Sequence, residues 1–216
     1  HPTLAVHADL GRALAHQLAA QGVTSGFADS PELDERVSQR VRKSLTPYDH
    51  VMALNTLAMT LSWAGKNEEA LRLAESAVEA APQNSEVLAQ YGRLLEKLHR
   101  DDEALQAYQR AVKANPEDSH ALARLGDFYG RHEDFATARG YLQRAVQLTP
   151  DKAPLAFRAQ IRLQLGDCLQ ALGESAAAQD LYRQAAQLDA NFPGLQERLQ
   201  ATANGPTSTR REQRRD

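Results

Sequence analysis

Three prolines set the frame for this chain. Pro82, Pro116 and Pro150 stand 34 residues apart, and the residues before each of them follow one pattern. Counting from residue 51, positions four, seven, eight, eleven, twenty and twenty-seven are Leu54, Leu57, Ala58, Leu61, Ala70 and Ala77. Counting from 85 they are Leu88, Tyr91, Gly92, Leu95, Ala104 and Ala111, and from 119 they are Leu122, Leu125, Gly126, Tyr129, Ala138 and Ala145. A chain written this way grows by stacking like units, so its 216 residues count repeats rather than separate cores.

A period of 34 with small residues at positions eight, twenty and twenty-seven and proline at thirty-two resembles the tetratricopeptide repeat. The resemblance implies an all-α fold, a right-handed helical-repeat solenoid of antiparallel helix pairs. Helix A is then expected over about the first fourteen positions of each unit and helix B over about positions seventeen to twenty-eight. Helix B should stop before the proline, which restricts its predecessor and has no amide to donate. Gly or Ala at position eight and Ala at twenty let the two backbones approach, and Leu or Tyr at four, seven and eleven fill the space between them. Tyr108 and Leu142, at position twenty-four, complete that layer. Position fifteen is Gly65 in the first unit but His99 and Glu133 in the next two, so the turn between A and B is not tied to glycine.

These spacings divide the chain into repeats at 51–84, 85–118 and 119–152 and a fourth at 153–192, whose positions are counted from 159 because six extra residues precede it. The fourth carries Leu165, Gly166, Leu169, Ala178, Tyr182 and Ala185 but has Ala190 where proline is expected. Pro154 at a first turn, followed by Leu155, Phe157 and Ile161, predicts that its helix A starts near 154 and is the longest of the set. Residues 193–203, with Leu195 and Leu199, read as a short helix covering the open end of the stack. From Asn204 to Asp216, Gly, Pro, Ser, Thr and four arginines leave nothing to bury, and a disordered tail is expected. At the other end, Leu4, Leu10, Leu14 and Leu18 and then Leu33, Val37, Val41 and Leu45 predict two helices over residues 1–47. They fit either a degenerate first repeat or an unrelated helical cap.

Charge excludes some partners. With 25 basic against 28 acidic residues and a net charge of −3, no global field favours a nucleic acid or an anionic membrane surface. No apolar run approaches the roughly 20 residues a bilayer span needs. The single cysteine, Cys168, excludes a disulfide framework and leaves the compartment open between cytoplasm and periplasm. Beginning at His1, the chain is expected to be a fragment or a processed product, such as the soluble part of an anchored or exported protein. Twenty arginines against five lysines lean toward a bacterial source.

Chemistry finds no foothold. None of the seven histidines, His1, His7, His16, His50, His99, His120 and His132, sits three or four residues from another, and none adjoins Cys168, so no metal site is expected. Cys168, at position ten of the fourth unit, reads as a buried, inert thiol. There is no glycine-rich phosphate loop and no nucleophile elbow, hence no catalytic residue and no cofactor to assign.

What remains is the concave groove that the resemblance implies, lined by the A helices. At about 100° per residue, positions two, five, six, nine, twelve and thirteen point away from the A–B core. The binding residues expected there are Met52, Asn55, Met59 and Trp63 in the first unit, Gln90, Arg93 and Lys97 in the second, and Arg124, Asp127 and Arg131 in the third. Met52, Met59 and Trp63 form an apolar stripe that something should cover. Residues 1–47 folded over it and an external ligand both answer the requirement. Arg93, Lys97, Arg124 and Arg131 gather positive charge beside the stripe, and the plain alternative is a solvated face on which Asp127 pairs with both Arg124 and Arg131. Some tetratricopeptide domains grip the terminal carboxylate of heat-shock chaperones. Carried over residue by residue, their clamp falls on Asn55, Met59, Gln90, His120 and Arg124, of which only Arg124 matches.

The sequence therefore predicts a non-enzymatic module that binds a protein or peptide segment in its groove, as an adaptor, assembly factor or chaperone. The expected partner carries an apolar anchor beside acidic residues, and the chain does not insert into a membrane. Two other readings remain: the repeat arm of a larger glycosyltransferase-type enzyme, and a structural subunit that forms homo-oligomers through its end helices.

Overall fold

The computed structural model describes residues 46–203. Two compact units, 1–53 and 54–216, divide the chain. The helical pair expected before residue 46 and the tail expected from 204 lie outside the described residues.

In the first unit the described part is the start of helix α1 (Pro47–Trp63), and its sequence explains why it begins there. Thr46 Oγ1 accepts the amide of Asp49 at 3.1 Å, and Asp49 Oδ2 accepts the amide of Thr46 at 2.9 Å and its hydroxyl at 2.6 Å. This is a reciprocal capping box, with Pro47 in the first turn, where its missing amide costs nothing. The hydrogen bonds from Thr46 hold the Asp49 carboxyl below the usual carboxylate range. Helix α1 thus starts four residues ahead of the repeat phase counted from 51.

From residue 54 the chain is an all-α stack of helix pairs. After α1 come α2 (Asn67–Ala80), α3 (Ser85–Lys97), α4 (Asp101–Ala114), α5 (Ser119–Arg131), α6 (Phe135–Leu148), α7 (Leu155–Ala171), α8 (Ser175–Leu188) and α9 (Leu195–Ala203). Odd helices up to α7 are the A helices and even ones the B helices; α9 packs on α8. The B helices run to position thirty rather than twenty-eight. Ala81, Asn115, Thr149 and Asp189, at position thirty-one, close them by donating to the carbonyls of Ala77, Ala111, Ala145 and Ala185. The fourth repeat makes this stop without proline, through Asp189, whose Oδ1 accepts the amide of Asn191 at 3.1 Å. Helix α7 is long, as its apolar run predicts, but α1 equals it at 17 residues.

Small residues mark where helices touch. Ala70, Ala104, Ala138 and Ala178, at position twenty, and Ala77, Ala111, Ala145 and Ala185, at twenty-seven, are fully buried. At position eight a Cβ added to Gly92 would lie 2.8 Å from the Tyr108 ring, one on Gly126 2.7 Å from Leu142 Cγ, and one on Gly166 2.5 Å from the Tyr182 ring. The residue at twenty-four therefore occupies the space that a side chain at eight would need. In the first repeat both are alanine, Ala58 and Ala74, packed in one cluster.

The A-to-B turn has one geometry in all four repeats. Position fifteen is left-handed throughout: Gly65 at φ 79°, His99 at 58°, Glu133 at 62° and Gly173 at 82°. The next residue reaches back five positions, Lys66 to Leu61, Arg100 to Leu95, Asp134 to Tyr129 and Glu174 to Leu169, at 2.8–3.0 Å. This is the glycine-favouring Schellman ending of a helix, occupied twice by residues that resist it. A side chain in left-handed backbone costs about 1–2 kcal/mol, partly offset by the extra chain entropy that glycine loses. His99→Gly and Glu133→Gly should each raise stability by about 0.5–1 kcal/mol, read as a higher urea midpoint at unchanged slope.

Candidate functional site

The A-helix face turned from the B helices carries a polar ladder, each rung joining one repeat to the next. Lys97 Nζ donates to Ser62 Oγ at 2.8 Å, and Ser62 Oγ donates to Asn67 Oδ1 at 3.3 Å. Arg131 pairs with Glu96 of the preceding repeat, so position thirteen meets position twelve in both cases. Gln164 Nε2 donates to Asp127 Oδ1 at 2.6 Å. At the far end Arg198 of α9 forks onto Asp167, Nε to Oδ1 at 2.6 Å and Nη2 to Oδ2 at 2.9 Å.

The ladder is tied to the core by two tyrosines. Tyr108 donates its hydroxyl to Glu96 Oε2 and Tyr182 donates to Asp167 Oδ1, both at 2.9 Å. Burial, reinforced by these carboxylates, drives both phenols far above their ordinary range, so they remain donors. The rings that fill the space beside Gly92 and Gly166 thus also fix two carboxylates on the exposed face.

Against this geometry the sequence candidates separate. Trp63 is 72% exposed, whereas Asn55, expected to face the groove, is buried, as is Ser62. Met59 is half-buried, and so is Met52, which belongs to the first unit. Lys97 and Arg131 serve the ladder. Asp127 pairs with Arg131, Nε to Oδ2 at 3.2 Å, and accepts Gln164 on Oδ1; Arg124 acts on it through charge, without a hydrogen bond. Gln90 Oε1 accepts Arg93 Nε at 2.9 Å, while Arg93 Nη2 is buried with no acceptor. Arg124 has no hydrogen-bonded or ion-pair partner among the described residues.

Glu96, Gln164 and Asp167 fall at the outward positions twelve, six and nine but were not among the expected binding residues, and Arg198 was not expected on this face. A usable signal existed for the first: Ser62 to Lys97 and Glu96 to Arg131 are both one residue more than the period apart. His120, a clamp position, is stacked on Phe157 with ring centroids 3.8 Å apart. Cys168 is buried, its Sγ 3.5 Å from where a Cβ on Gly130 would stand. Burial and the neighbouring Asp167 and Asp127 push its thiol up to about 11, out of the nucleophilic range at neutral pH. Among the described residues no helix is long and apolar enough to cross a membrane, and no three His, Cys, Asp or Glu side chains gather as metal ligands.

Asp127 gives the ladder a pH signature. Burial raises its carboxyl above the ordinary value, against the opposing pull of Arg131. A folded-state value above the unfolded one contributes stability below the unfolded value and loses it as pH rises through the folded one. Relative to Asp127→Asn, the wild type should therefore lose stability as pH is raised from about 4, the ordinary aspartate value. Urea midpoints of both proteins across that range measure it, and a difference that is flat with pH would contradict it.

Comparison with known proteins places this geometry. A family model described as the tetratricopeptide repeat matches residues 64–128, and a second so described matches 159–192. No curated protein matches the sequence. Among solved structures, Pseudomonas aeruginosa PilF is similar at TM-score 0.65 and 17% identity, over 71% of this chain and 67% of its own. PilW, a widely conserved type IV pilus biogenesis factor, is similar at 0.62 and 19%, over 67% and 64%. The first TPR of Spaghetti (RPAP3), bound to the HSP90 peptide SRMEEVD, is similar at 0.51 and 22%, over 56% and 91%. At such identities the likeness concerns the fold. Spacing, helix pairing and family matches agree: residues 64–128 and 159–192 match tetratricopeptide repeats, within an all-α helical-repeat solenoid.

Proposed function

We propose that the chain is a non-enzymatic protein-interaction module that seats a segment of a partner protein on its A-helix face, as an adaptor, assembly factor or chaperone. The observation that carries this reading is an unfinished surface. Most polar groups on the face are used by the ladder, yet Trp63 stands 72% exposed one residue from Ser62, which Lys97 holds. Farther along, Arg93 and Arg124 have no acid hydrogen-bonded or ion-paired to them among the described residues. An exposed indole beside a fixed polar framework is the usual composition of a binding anchor, since tryptophan and arginine carry much of the energy in interfaces. Two of the structural relatives are described as a pilus biogenesis factor and a peptide-bound repeat domain, which supports the class of role without naming the partner.

The test is in-cell crosslinking of the tagged chain, with Trp63→Ala and Arg124→Glu as controls. The expected result is a crosslinked partner whose yield falls about tenfold or more in each variant, the scale of a loss at an interface anchor. Capture that both variants leave intact would move binding off this face, and crosslinks to the chain itself alone would favour self-association.

A further inference from the structure

The distribution of charge on the A-helix face goes further than a general binding surface, and this step rests on the reading just given. Three carboxylates of the face are fully committed. Glu96 accepts from Tyr108 and pairs with Arg131; Asp127 holds Arg131 and Gln164; Asp167 holds Arg198 and Tyr182. Two guanidinium groups on adjacent A helices are left over. Arg93 is oriented by Gln90 through Nε, and its Nη2 is shielded from water without an acceptor. Arg124 has no hydrogen-bonded or ion-pair partner among the described residues, and its charge adds to burial in pulling the Arg93 guanidinium below its ordinary value. Guanidinium groups stay charged at neutral pH, so the free protein holds two like charges on this face, and the charge of Asp127, which Arg131 and Gln164 already occupy, reaches Arg124 without a hydrogen bond.

We propose that Arg93 and Arg124 form the seat for a carboxylate of an Asp or Glu side chain within the partner segment. Planar forks match a planar carboxylate, and insertion of one charge supplies the missing acceptor and ends the repulsion. An internal side chain is favoured over a chain terminus by the other positions of the face. Asn55 is buried, Met59 offers no charge-assisted donor, and His120 is stacked on Phe157. A terminal carboxylate would find Arg124 but not the neighbouring donors that the chaperone clamp uses.

Synthetic peptides provide the probe: acetylated, amidated peptides alternating leucine with glutamate, with glutamine or with phosphoserine, and a glutamine peptide with a free C-terminal carboxylate. Binding is followed by anisotropy of a labelled peptide and by Trp63 emission. The glutamate peptide should bind about tenfold tighter than the blocked glutamine peptide, and Arg93→Gln with Arg124→Gln should abolish that ratio. Arg124→Gln alone should leave the thermal midpoint of the free protein unchanged or raised, which separates loss of the seat from loss of the fold. Equal binding of the glutamate and blocked glutamine peptides with a Trp63 response overturns the seat and keeps the interaction reading. A glutamate preference that survives the double substitution also overturns it, as does tighter arginine-dependent binding of the phosphoserine or free-carboxylate peptide. Failure of every peptide to bind, with Trp63 silent, overturns both readings.

Discussion

The rest of the structure depends on one close approach, between position eight of each A helix and position twenty-four of its B helix. The pairs are Ala58 with Ala74, Gly92 with Tyr108, Gly126 with Leu142 and Gly166 with Tyr182. Where one side is glycine the other is large, and where one is alanine so is the other, so each pair fills its shared space without overfilling it. Interiors packed to the density of organic crystals accept such exchanges only when volume is conserved. This sets the separation of A from B, and with it the placement of the A helices whose outer faces form the candidate site.

The same contact links core to surface. Tyr108 and Tyr182 are held against glycines by their rings and against Glu96 and Asp167 by their hydroxyls. Those carboxylates receive Arg131 and Arg198 from the following helices, so the order of the polar ladder is inherited from packing underneath. Lys97 on Ser62 and Gln164 on Asp127 extend it to the remaining neighbours. Among the described residues a face stiffened this way leaves Arg93 and Arg124 without a hydrogen-bonded acid and Trp63 exposed, and the proposed function draws on them.

The spacing of small residues and prolines was enough to read the repeat phase, because period and volume are properties of sequence. Helix ends were less legible: spacing starts the first repeat at 51, but Pro47 already forms the first turn of α1, through a capping box that only Thr46 and Asp49 together reveal. The left-handed turn at position fifteen was hidden by His99 and Glu133, since the repeated geometry overrides the preference of the residue. Candidate site residues were placed by angle alone, which brings Arg93 and Arg124 to one face but cannot tell a committed charge from an unpaired one. On the solvated-face reading Asp127 pairs with both Arg124 and Arg131; it does hold Arg131, but its other oxygen goes to Gln164, 37 residues away, and Arg124 acts on it through charge alone. Long-range hydrogen bonds of this kind follow from side-chain geometry, to which periodicity is blind.

The close approach can be tested by a sign. Alanine in place of glycine inside a helix ordinarily adds about 1 kcal/mol, and Gly140, in α6 with nothing within 4 Å of an added Cβ, is the control where that gain is expected. At Gly92 and Gly166 the added carbon meets a buried tyrosine ring that a hydroxyl bond also restrains. Urea denaturation of Gly92→Ala and Gly166→Ala should show a loss of about 1–3 kcal/mol, the scale of overpacking. A gain at these two positions like that at Gly140 would contradict the account.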